Sequence, residues 1–67
     1  MAIVIQSRGA DEPEWRNEVW RRDPLEALMT ARAKSRLTGR AYRLVDQSGQ
    51  VLEEDIGWHP DRPRHNR

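Results

Sequence analysis

The sequence has no cysteine, no phenylalanine and only two methionines in 67 residues. Without cysteine there is neither a disulfide framework nor a thiolate metal site. A chain of this length sits near the lower limit for a domain held by its core alone. The missing staple must therefore be replaced by close packing, by self-association or by a partner. Long apolar runs are lacking too. Nothing approaches the roughly 20 residues that cross a bilayer, and the first residues carry no signal-peptide apolar region. The expectation is a soluble cytoplasmic protein, bacterial or phage-derived by its brevity. Net charge of one sign is also lacking: 12 Lys and Arg against 11 Asp and Glu leave +1.

Motifs of chemistry are equally scarce. No phosphate-binding glycine loop, no His-Glu-x-x-His pair and no nucleophile elbow occurs. Ser7, Ser35 and Ser48 have no histidine base in register, and His59 and His65 both fall in the C-terminal segment. Asp11, Glu12 and Glu14 around Pro13, and the run Glu53-Glu54-Asp55, read as solvated acids, since they lack the glycine and alternation of a calcium loop. The expectation is a non-enzymatic chain with no cofactor and no metal.

What is present is a clear helix. Asp23 suits the N-cap, Pro24 the first helical position, and Glu26 adds a second acid at the positive end of the dipole. Gly39 supplies a left-handed stop, with Arg36 and Arg40 near the negative end. The helix is expected over 24–38.

Around it lie four strand-like stretches. Residues 2–7 place Ile3 and Ile5 on one face. Residues 15–22 alternate so that Trp15 and Trp20 point to opposite sides unless a bulge intervenes, with one of them packed under the helix. Residues 40–46 and 50–55 flank the turn Asp46-Gln47-Ser48-Gly49, and Ile56 is placed on the sheet edge. The fold expected is α+β: a four-stranded antiparallel sheet in ββαββ order with one helix on one face. Residues 1–57 form the single domain, and 58–67 a basic, proline-containing tail anchored at most by Trp58.

Apolar helix positions separate into two stripes at about 100° per residue. Pro24, Ala27, Leu28, Ala31 and Ser35 form one, mostly small, which lets the helix sit close to a sheet. Leu25, Met29, Ala33 and Leu37 form the other, with Arg32 and Arg36 between them. One reading joins both into a wide core-facing arc with the arginine stems snorkelling at its centre. It is favoured because so short a chain needs every apolar residue in its core. The other reading leaves the second stripe, with Trp20, to meet another protein or a second copy. This makes Leu25, Met29, Ala33, Leu37 and Trp20 the candidate protein interface of an interaction module, inhibitor or regulator. The alternative function is nucleic-acid binding, with Arg32, Arg36, Arg40 and Arg43, and Arg62, Arg64 and Arg67 of the tail, tracking phosphates.

The run Glu26-Ala27-Leu28, Ala31, Thr38-Gly39, then Tyr42 to Val51 and Glu54-Asp55, resembles a group of short bacterial proteins. In that group a tryptophan-bearing strand precedes an "EA…A…TG" helix and a "dGrI/V" hairpin closes the domain. The resemblance covers residues 15–60. It implies the same ββαββ fold and no assigned activity.

Overall fold

The computed structural model describes residues 2–56. Its elements are β1 (Ile3–Arg8), β2 (Arg16–Arg21), α1 (Pro24–Thr38), β3 (Ala41–Val45) and β4 (Val51–Ile56). The sheet runs β2-β1-β3-β4 and every neighbouring pair is antiparallel. This is the α+β architecture expected, with α1 laid across one face. The tail and its Trp58 lie outside the described residues.

The helix is fixed at its two ends. The Asp23 carboxylate accepts the Glu26 N–H at 2.9 Å from an extended backbone, and Pro24 opens the first turn. Gly39 turns left-handed at φ 74° and donates its N–H to the Ser35 carbonyl at 2.8 Å. Both ends thus satisfy backbone groups that a helix otherwise leaves without partners. The β3–β4 turn is similarly self-contained. Asp46 Oδ1 accepts from the Ser48 N–H, the Ser48 hydroxyl and the Gln50 N–H, while Gly49 adopts φ 91°.

The core lies between sheet and helix. Ile3, Ile5 and Ser7 of β1, Tyr42 and Leu44 of β3 and Ile56 of β4 face Ala27, Ala31 and Ser35 of α1, with Val19 and Leu28 at the margin. Ile56 belongs to β4 itself and is 4% exposed, so the last strand runs one residue further than the sequence suggested and ends in the core.

Two expectations are corrected. Neither Trp15 nor Trp20 packs under the helix: the bulky aromatic in the core is Tyr42, and the helix opposes it with alanines and a serine. The wide arc does not form either. Leu25, Met29 and Leu37 are 63%, 61% and 85% exposed, and Arg32 and Arg36 are exposed beside them. The reason is geometric. A helix on a filled sheet surface presents only one narrow stripe to it, and the small residues win that place by allowing close approach.

Bulges shape the two edge strands. In β2, Ile5 opposes Val19 and Gln6 opposes Asn17, leaving Glu18 as the extra residue. In β4, Leu52 is extra between the Leu44–Glu53 and Val45–Val51 pairs, and Glu54 and Asp55 together oppose Arg43. Asp55 takes φ 55° there.

Helix orientation has a direct test. Ala31→Leu overfills the core and is expected to lower stability by about 1–3 kcal/mol. Ala33→Leu, two residues on and on the exposed side of the helix, is expected to stay within about 0.5 kcal/mol. Urea unfolding of both variants checks this, and equal losses would contradict the orientation.

Candidate functional site

The bulge at Glu18 decides where the polar side chains of the helix face meet. Turned toward α1, the Glu18 carboxylate accepts from the buried Ser7 hydroxyl at 2.5 Å and pairs with Lys34 Nζ at 3.1 Å. Arg40 completes the cluster. Its Nε donates to Ser7 Oγ at 3.0 Å, and its Nη2 donates to Glu12 Oε1 at 2.7 Å. Glu12 also accepts the Gly9 N–H at 3.1 Å. One network therefore ties β1, β2, the loop between them, α1 and the start of β3.

Its electrostatics follow from these contacts. The Ser7 hydrogen bond, helped by Lys34 and opposed by partial burial, holds the Glu18 carboxyl below the usual glutamate range. The Arg40 guanidinium, then the Gly9 N–H, does the same for Glu12. A carboxylate so stabilised is a weak base. The Ser7 hydroxyl is fully buried and already holds a donor and an acceptor. The cluster joins these elements around a serine hydroxyl shielded from solvent, with its charged side chains reaching the surface.

The sheet face opposite the helix is organised in rows. Trp20, Val4, Val45 and Val51 oppose one another across all four strands, so this apolar row spans about 14 Å at the usual strand spacing. Beside it Asn17, Gln6 and Arg43 form a polar row. Gln6 Nε2 donates to Asn17 Oδ1 at 2.8 Å, and Arg43 Nε donates to Gln6 Oε1 at 2.7 Å. The guanidiniums of Arg43 and Arg8 lie 4.4 and 4.7 Å from the Trp15 ring centroid, cation–π contacts that half-bury this ring. Trp20 remains 57% exposed.

The bulge therefore brings both tryptophans to one face, the exception allowed to the alternation over residues 15–22. The candidate protein interface is divided too, by the plain alternation of Val19 and Trp20. Leu25, Met29, Ala33 and Leu37 lie on the outer side of α1, whereas Trp20 lies beyond the sheet. Leu25, Met29 and Ala33 line a shallow groove with Asp23, Glu26, Thr30 and Lys34.

The candidate phosphate contacts are dispersed as well. Arg40 is committed to Glu12 and Ser7, Arg43 sits over Trp15 on the far sheet face, and Arg32 and Arg36 are exposed on the helix. Arg62, Arg64 and Arg67, with His59 and His65, lie outside the described residues. Among the described residues no group of three or more His, Asp or Glu is placed to hold a metal ion, and no helix is long and apolar enough to cross a membrane.

Sequence reasoning missed the roles of Glu12, Glu18 and Arg40. Period-two alternation put Glu18 on the face away from Val19, and the acids of the first loop read as solvated. The one available signal was the conditional bulge in β2. No family model matches this chain, and neither a curated protein nor a solved structure matches it.

Acid titration tests the network. Because the Glu12 and Glu18 carboxyls are depressed in the folded chain, their stabilisation is complete above the unfolded glutamate value of about 4.3 and is lost as pH falls through the folded values. Unfolding midpoints measured from pH 7 to pH 2 are expected to fall below that point. Glu18→Gln is expected to flatten this acid limb. An unchanged limb in the variant would remove Glu18 from the network.

Proposed function

We propose that this chain is a small protein-binding module without catalytic chemistry, and that its partner is a second copy of itself. The observation that carries the reading is the outer stripe of α1: Leu25, Met29 and Leu37 are large, apolar and more than half exposed. Full burial of such a side chain contributes on the order of 1.5–3 kcal/mol. A chain with so small a core would gain more from placing these residues inside than from exposing them to water. Their apolar character on that outer side is accounted for by a contact made after folding. Exposed contiguous apolar surface on a small domain is the usual mark of such a contact.

The nucleic-acid reading has weaker support. Its cations are split between two opposite surfaces, and Arg40 is paired within the chain. A polyanion needs several cations along one track.

Light scattering at tens of micromolar tests self-association. The wild-type chain is expected to scatter as a dimer, and Met29→Glu and Leu37→Glu as folded monomers with unchanged circular dichroism. A wild-type monomer, indistinguishable from both variants, would remove self-association.

A further inference from the structure

Beyond the fact of self-association, and resting on that reading, the geometry points to how the second copy is seated. We infer that two chains pair antiparallel through the edge strand β2, with Trp20 on the two-fold axis, making a continuous eight-stranded sheet.

The two edges of the sheet differ. β4 is blocked against a further strand by two irregularities, the positive-φ Asp55 and the acidic run Glu53-Glu54-Asp55. Such features are how proteins protect a sheet edge. β2 has one bulge, at its third residue Glu18, and is regular from Val19 to Arg21. At the centre of that regular part the Trp20 carbonyl accepts from the Arg21 guanidinium at 2.9 Å, an exposed contact that an added strand's N–H would share or displace.

Apolar surface flanks this edge on both sides. Below the sheet stands Trp20, 57% exposed. Above it runs the groove of Leu25, Met29 and Ala33, and the Lys34–Glu18 ion pair places that groove on the β2 flank of the helix. A strand added at β2 therefore meets hydrophobic surface with both sets of its alternating side chains.

Register selects the second copy and its alignment. Residues directly opposite in an antiparallel pair point to the same face, so the two-fold must pass through a single residue of β2. Centring on Val19 sets the bulged Glu18 against Trp20 of the other chain and breaks the ladder. Centring on Arg21 stacks like charges. Centring on Trp20 pairs the two indoles on the open face and Val19 with Arg21 of the second copy, twice. The bulges then lie beyond the ladder ends.

The same two-fold runs the helices antiparallel on one side of the sheet. The acidic end of each groove, Asp23 and Glu26, comes level with the Lys34 end of the other. Opposite charges frame an apolar centre, and a patch of this kind fits a copy of itself.

The chain's lack of cysteine gives a clean test. A directly opposed pair has Cα atoms about 5.5 Å apart, within disulfide range. Trp20→Cys is expected to give disulfide-linked dimers on mild oxidation, and Leu52→Cys at the β4 edge none. Isotope-filtered NMR on mixed labelled and unlabelled wild-type chains covers the case where losing the indole weakens the dimer. Contacts between Val19 and Arg21 of different chains are expected. A dimer by light scattering that shows only helix-to-helix contacts, with Met29→Cys cross-linking and Trp20→Cys not, overturns the edge pairing and leaves self-association intact. A monomer at every concentration overturns both.

Discussion

An unpaired residue inserted in a strand must send its side chain to one face or the other. In β2 the inserted residue is Glu18, and it turns toward the helix. Two consequences follow from that turn. The carboxylate enters the space between sheet and α1, where Ser7 and Lys34 supply donors and the nearby Arg40 a further positive charge, and these make its partial burial tolerable. The residues before the bulge change face, so that Trp15 joins Trp20 on the open side. Polar cement on one side of the sheet and aromatic surface on the other thus come from a single extra residue.

The helix face completes the arrangement. Alanine at 27 and 31 and serine at 35 allow α1 to lie close over Ile3, Ile5, Tyr42 and Leu44. Close approach needs small residues, and small residues bury little area each. The domain therefore depends on a few large side chains from the sheet, while Leu25, Met29 and Leu37 of the helix remain outside. A core built in this way leaves the chain an apolar outer surface, which a second copy can cover.

Much of this was legible along the chain. The helix could be read from Asp23, Pro24, Glu26 and Gly39 because its caps are local, within one turn of the elements they end. The hairpin around Gly49 was legible for the same reason. The Glu18 bulge and the two irregularities of β4 were not, since a bulge leaves the local pattern almost unchanged and is decided by the partner strand. The Arg40–Glu12 pair joins residues far apart in sequence, so Glu12 read as a solvated acid and Arg40 as a helix-end charge or a phosphate contact. The two helix stripes could be separated by periodicity, but which of them faces the sheet depends on space already filled by Tyr42 and its neighbours. Of the candidate surfaces, the outer stripe remained contiguous. Trp20 and the arginines were redistributed by strand register, which no single segment encodes.

The bulge itself is open to direct measurement by the interstrand NOE pattern of β1 and β2 in solution. The structure predicts cross-strand contacts of Gln6 with Asn17 and of Ile5 with Val19, no strand partner for Glu18, and both Trp15 and Trp20 on the face away from α1. A regular ladder with Glu18 opposite Gln6, and one indole in contact with Ala27 or Ala31, would contradict it.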